Sequence, residues 1–280
     1  MSDTTRPSSA LQAAIELGRR HGIDTRAPRI LKDGSNLLAE LAPAPVVIRV
    51  ATLTAEVRGD PLPYLEREVA LTVALVHEGA PVVPPSPLIP PGPHLIDSWA
   101  MTAWAFVDHE AGVVPSGSQS LDALELLHAA MRRLTIDLPV LGPARDDLDR
   151  AIDFAVRHEL LIPQMATDLR ARRDGLVVRL LGAAPDRQAL HGDAFPRNSL
   201  LTTGGVVWID FEDCCNGPAA WDHAVLLRAT DDPAVAAGVR ARDGDDAIDL
   251  AIDLRTIQAD VWMLIHDARR EGRIGAIWSA

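Results

Sequence analysis

The sequence predicts an α+β fold, β-rich over residues 1–106 and mostly helical over residues 107–280. Three observations carry this. Short apolar runs bounded by glycine and proline turns, the signature of strands, are concentrated before residue 107. From Ser120 onward, apolar residues instead recur at helical spacing. A chain of 280 residues is long enough for one large domain or two lobes sharing a cleft.

Residues 11–21 read as an amphipathic helix stopped by Gly22. Residues 30–41 and 46–51 then read as strands, the first interrupted by Asp33-Gly34-Ser35-Asn36. A glycine turn between short strands can bring backbone N–H groups and small polar side chains near a phosphate, so Gly34, Ser35 and Asn36 are candidates. Most such turns are only hairpin connections. Arg49 is the one charge in an apolar strand, and a buried charge needs a partner. The nearest plausible one is Glu68, on the helix that runs from Leu65 to Gly79. Such a pair could hold a nucleotide's phosphates; alternatively Arg49 faces solvent on an edge strand.

Residues 81–93 contain seven prolines and read as an extended, rigid connection. It leads to the apolar strand of residues 98–107, where backbone groups around Trp104 to Val107 could meet an adenine edge, although its aromatics are core residues first. In the helix from Ser120, Leu121, Leu124, Leu127, His128 and Met131 share one face, with His128 most simply a packed histidine, and Arg132 and Arg133 suit the negative end. Further helices are expected over residues 147–158, 164–173, 219–228 and 245–271. On the last, Asp249, Asp253, Asp260 and Asp267 fall within about 40° of one another at 100° per residue. They form either an ordinary solvated face or an acidic wall for a polycationic substrate.

A formal net charge of −12 disfavours nucleic acid or an anionic membrane as partner and leans toward cationic or neutral ligands. Lys32 is the only lysine, so positive charge elsewhere must come from arginine or histidine. Residues 1–10 lack a secretory-signal pattern, and no run has the length and apolarity of a membrane span. The adjacent Cys214 and Cys215 lack zinc spacing and read as small buried thiols in a reducing, cytoplasmic setting.

The chemistry is concentrated in one stretch. His191-Gly192-Asp193 is followed by Asn198 and then, twelve residues later and straight after the apolar run Val206-Val207-Trp208-Ile209, by Asp210. A carboxylate, an amide and a second carboxylate so spaced can place one base and two hard oxygen ligands around a magnesium-bound phosphate. The plain alternative is a surface hairpin with incidental acids.

At these residues the chain resembles the aminoglycoside phosphotransferase and choline kinase-like family, relatives of the protein kinases. The resemblance runs from Gly34-Ser35-Asn36 through Arg49, Arg67-Glu68, Gly79-Ala80-Pro81-Val82 and Leu127-His128 to His191–Asn198, Ile209-Asp210 and Gly217-Pro218 to Asp222. It implies a two-lobed protein kinase-like fold with nucleotide between the lobes, and transfer of phosphate from ATP or GTP, with Mg2+, to a small-molecule hydroxyl. Carried over, it makes Asp193 the base, Asn198 and Asp210 the magnesium ligands, and Arg49 with Glu68 the phosphate-holding pair. It also makes Asp222 a brace for the loop and His191 its orienting residue. Phe195 and Arg197 depart from the family's pattern, where a polar residue and a glycine are common. Arg197 either adds charge near the γ-phosphate or pairs with an acid outside the site. An aminoglycoside-type antibiotic is the leading acceptor expected, with a sugar, amino alcohol or other natural product behind it; the alternative is a catalytically silent nucleotide-binding module.

Overall fold

The apolar runs of the first third pair into one antiparallel sheet in the computed structural model, which describes residues 9–274. The chain enters through a helix, Ser9–Arg20 (α1), whose buried stripe includes Leu11, Ala14, Ile15 and Leu17. The strands are Arg29–Asp33 (β1), Asn36–Glu40 (β2), Val46–Ala51 (β3), His94–Ile96 (β4) and Trp99–Ala105 (β5), in the order β1-β2-β3-β5-β4. β3 lies in the middle of the sheet and is buried along almost its whole length, as the valine- and isoleucine-rich run Val46-Val47-Ile48 suits. Two helices, Leu53–Arg58 (α2) and Leu62–His77 (α3), separate β3 from β4.

The described chain divides into two compact units. The first runs as far as Val73 and resumes at Val83–Asp108; the second takes Ala74–Val82 and everything from His109 on. The short segment around Pro81 belongs to the second unit for a visible reason. Trp208 N–H donates to Pro81 O at 2.8 Å, and Val82 forms a parallel bridge with Trp208.

Past His109 the first helix of the second unit is Gly117–Met131 (α4), whose start is secured by a reciprocal cap. Ser116 Oγ accepts from Gln119 N–H, and Gln119 Oε1 accepts from Ser116 N–H. Asp146–Arg157 (α5) and Pro163–Ala183 (α6) follow, then Gln188–Leu190 (β6), Ser199–Thr202 (β7), Gly205–Trp208 (β8) and Cys215–Gly217 (β9). β6 pairs with β9 and β7 with β8, both antiparallel. Ala220–Leu227 (α7), Pro233–Asp243 (α8) and Asp245–Arg270 (α9) complete the unit, and α9 packs against α5, α6, α7 and α8. Its seam of Leu254, Ile257, Val261 and Ile265 is buried, each side chain contributing roughly 1.5–3 kcal/mol.

The α+β architecture expected from the sequence is thus the one observed. The acidic residues of α9 prove to be its outer face: Asp249, Asp253 and Asp260 are exposed, Asp249 is paired with Arg240 at 2.7 Å, and Asp267 is paired with Arg270. Cys214 and Cys215 are buried and form no disulfide. Burial and the neighbouring Asp222 charge push the Cys215 thiol up, so it is an inert core group. No described helix is long and apolar enough to cross a membrane. Most of the stretch read for a secretory signal, residues 1–8, lies outside the described residues.

Candidate active site

Past β6 the backbone turns sharply through His191-Gly192-Asp193 and tightens into a single helical turn at Pro196–Asn198. Asn198 Nδ2 donates to Asp193 Oδ2 at 2.7 Å and to Asp193 O at 3.0 Å, fixing the half-buried carboxylate to a buried amide. The β7–β8 hairpin then brings the chain back. Ile209 N–H donates to Asn198 O at 2.9 Å, which sets Asp210 beside Asn198 although they are twelve residues apart in sequence. Asp210 has a left-handed backbone, φ 69°, uncommon outside glycine. Asp193 and Asn198 are therefore bonded directly, and Asp210 follows the residue whose N–H meets Asn198.

This loop is braced from beneath. The buried Asp222 of α7 accepts the N–H of His191 and of Gly192 and a hydrogen bond from His128 Nε2, all at 2.9 Å. Burial raises the Asp222 carboxyl, but the hydrogen bonds from His128 and from Gly192 N–H outweigh it and hold the group below the usual carboxylate range. His191 Nε2 donates to Ile209 O at 3.0 Å, leaving Nδ1 as an acceptor facing Asp193 N–H at 3.3 Å. Its ring packs against Phe211 and Trp208, and Trp221 Nε1 donates to Gly192 O at 2.9 Å. Gly192 has φ 86°, and a Cβ there would stand 1.8 Å from Asp213 O, so no other residue fits. His128, expected as a packed histidine, is buried and serves as Asp222's partner.

One contact was not anticipated. Arg255 of α9 donates from Nη2 to Asp193 Oδ1, while its Nη1 donates to Oε1 of the buried Gln258 at 2.7 Å. Arg255 lies roughly 120–160° round the helix from the acidic stripe. The face of α9 that reaches Asp193 thus presents a guanidinium, and an acidic wall at this carboxylate is not found. A signal was present in the sequence: Arg255 and Gln258 flank the apolar seam of Leu254, Ile257 and Val261, and polar groups there need partners. Phe195 is half-buried. Arg197 is exposed, and the expected pairing with an acid outside the site is not seen among the described residues.

In the first unit, Arg49 and Glu68 do meet, Nη1 to Oε2 at 2.7 Å, with both side chains buried. Arg49 lies on the central strand β3, not on an edge. The Gly34 turn is tied into its own unit. Gly34 N–H donates to Asn36 O at 3.2 Å, Thr52 Oγ1 and Thr54 N–H donate to Ser35 O at 3.1 Å, and Thr54 Oγ1 donates to the buried Asn36 Oδ1. The turn thus offers a fixed shape, with its Asn36 amide oxygen already engaged. At the end of β5, the N–H groups of Ala105 and Phe106 donate to Pro84 O and Pro45 O, so these two donors are not open to a base edge.

The donor set beside Asp193 suits magnesium. With Asn198 Nδ2 committed to Asp193, its Oδ1 is a hard neutral oxygen that could hold a metal, and Asp210 could add a carboxylate. No group of three or more His, Cys, Asp or Glu that could hold a metal occurs among the described residues. Two protein oxygens with the remainder from water and phosphate is how Mg2+ is commonly held, in contrast to a closed protein cage.

A profile of the phosphotransferase enzyme family matches residues 19–252. Among solved structures, the microcompartment-associated aminopropanol kinase is similar at TM-score 0.68 and 19% identity, over 95% of this chain and 93% of that one. Choline kinase LicA from Streptococcus pneumoniae is similar at TM-score 0.63 and 14% identity, over 92% and 91%. The GDP complex of wild-type aminoglycoside 2′-phosphotransferase-IIIa is similar at TM-score 0.60 and 17% identity, over 94% and 93%. Identities this low show a shared fold, which is protein kinase-like. No curated protein matches the chain.

Proposed function

Because this chain belongs to the phosphotransferase enzyme family, and is on that ground a small-molecule phosphotransferase, we propose that it transfers the γ-phosphoryl group of ATP or GTP to a hydroxyl. The observation that carries the detail is the Asp193 carboxylate, bonded to Asn198 in a loop braced by Asp222. In this reading Asp193 orients the acceptor hydroxyl. The acceptor oxygen forms its bond to the γ-phosphorus as the bond to the β–γ bridging oxygen breaks. The nucleoside diphosphate leaves, and the hydroxyl proton passes to Asp193 and then to solvent. Because the transition state is loose and anionic, placement and charge neutralisation matter more than a strong base. Mg2+ held by Asn198 and Asp210 would neutralise charge on the phosphate oxygens. Arg49, kept in place by Glu68, is assigned to the nucleotide phosphates, and the Gly34-Ser35-Asn36 turn to shaping their surroundings.

The GDP complex of the 2′-phosphotransferase supports keeping GTP beside ATP as donor. The aminoglycoside expectation leaned on the acidic net charge and on the acidic stripe of α9, and the stripe lies away from Asp193. A reaction supplied with nucleoside triphosphate, in a chain whose two cysteines form no disulfide, fits the cytoplasm.

A second reading, a silent nucleotide-binding module, is favoured by the Arg255–Asp193 pair, which occupies one oxygen of the base. A carboxylate oxygen has two lone pairs, so the pair leaves room for an acceptor hydroxyl. Phosphate transfer from ATP and GTP to sugars, hydroxy acids, amino alcohols and aminoglycosides, with and without magnesium, tests the choice. Asp193→Ala should lower kcat roughly 10²–10⁴-fold with nucleotide affinity kept. Nucleotide binding with no transfer to any acceptor would favour the module, and equal turnover by wild type and Asp193→Ala would remove Asp193 as base.

A further inference from the structure

We propose that the acceptor carries an anionic group, a carboxylate or phosphate, beside the hydroxyl that is phosphorylated, and that Arg255 binds that group. This rests on the phosphotransferase reading with Asp193 at the acceptor. Arg255 is anchored on two sides, through Nη1 to Gln258 and through Nη2 to Asp193. A guanidinium has five N–H donors in a rigid fork, so three remain for a ligand. Asp193 and Arg255 are each partly open, at 27% and 15% side-chain exposure, so a molecule that reaches the carboxylate also meets the guanidinium. Arg197, exposed on the same loop and without an acid partner among the described residues, adds a second positive charge nearby.

An arginine held against the base, with a second four residues along the same loop, is notable in a chain of net charge −12. An ammonium group brought against Arg255 would meet like charge, whereas a carboxylate or phosphate there gains a charge-assisted, forked hydrogen bond that also fixes its orientation. The exposed acids of α9 do not offset this, since they point away from Asp193 and two are already paired with Arg240 and Arg270. The acceptor class that matches is a hydroxy acid, a sugar acid or a phosphorylated polyol.

The test uses the full chain with Mg-ATP or Mg-GTP and matched acceptors: glycerate against glycerol, gluconate against sorbitol, with ethanolamine and kanamycin as cations. Wild type, Arg255→Gln and Arg255→Lys are compared after thermal melts and nucleotide titration. The acid of each pair should exceed its neutral partner in kcat/KM by about tenfold or more, the scale of one charge-assisted contact. Arg255→Gln should bring that ratio close to one, mainly by raising KM for the acid, and Arg255→Lys should fall between; if Arg255→Gln loses its cooperative melt, the lysine variant carries the comparison. A merely structural ion pair would change both members of a pair alike. Preference for the neutral or cationic acceptors, or an acid-to-neutral ratio unmoved by either variant, overturns the inference while leaving the phosphotransferase reading standing. Transfer to none of the acceptors removes that reading, and the inference with it.

Discussion

Asp222 accepts the backbone N–H of Gly192 at 2.9 Å, tying a buried helix carboxylate to the turn that presents Asp193. His191 N–H and His128 Nε2 are held by the same side chain, so three donors depend on it. Asp222→Ala should cost several kcal/mol, since each buried donor left without a partner loses about 1–3 kcal/mol. Urea unfolding measures this, and a change under about 1 kcal/mol would contradict the bracing role. Because the folded carboxyl titrates lower than the unfolded one, the contribution is present above the ordinary carboxylate pKa and is lost as pH falls through the depressed value.

Gly192→Ala combines a positive φ with a Cβ that would stand 1.8 Å from Asp213 O. Backbone atoms cannot move aside as a flexible side chain can, so the loop must shift. Loss of more than about 3 kcal/mol, or a folded protein with transfer lowered at least ~10²-fold, is expected. A variant of wild-type stability and rate would show that the turn tolerates rearrangement.

Arg49 and Glu68 form a buried ion pair at 2.7 Å. Removing one member of such a pair typically costs about 3–5 kcal/mol, and Glu68→Ala should fall in that range. Glu68→Gln, which keeps the shape, should cost less but raise KM for nucleotide. Denaturant melts and nucleotide kinetics separate the two effects; unchanged nucleotide KM in the glutamine variant would argue that the pair is only structural.

His223 is buried, which by itself lowers its pKa, but Asp243 at 2.5 Å and Glu125 at 3.2 Å more than compensate and raise it to about 9 from 6.5. A raised folded pKa stabilises below the unfolded value and is lost as pH rises through the folded one. Stability should therefore decline between pH 6.5 and 9, on the order of 3 kcal/mol from this group. Urea midpoints across that window check it, with His223→Gln expected to flatten the slope.

Long, strongly patterned elements could be read from the sequence alone. The helix expected over residues 11–21 is Ser9–Arg20, and the strands on either side of Gly34 appear as Arg29–Asp33 and Asn36–Glu40. What escaped was short or weakly amphipathic. β6 and β9 have three residues each, too few for a period to show. α8 buries only Val235 and Val239, although Asp232 and Pro233 form a good starting cap. α6 continues to Ala183 through Gly175 and Gly182, which read locally as breakers. Arg49–Glu68 was legible because an isolated charge in an apolar strand demands a partner. Arg255's need of a partner was legible in the same way but its choice of Asp193 was not, since 62 residues separate the two and only packing of α9 brings them together.

The β7–β8 hairpin also decouples distance along the chain from distance in space. Ile209 N–H meets Asn198 O at the open end, while the turn between Thr202 and Gly205 lies at the other. Adding residues in opposed pairs at that turn lengthens the ribbon without changing its register, so the two metal-ligand candidates would stay side by side. The interval between them is therefore an evolutionary free variable. A motif search with a fixed gap would overlook relatives that keep the same chemistry on a longer ribbon, and the turn is a natural place to insert a tag or reporter.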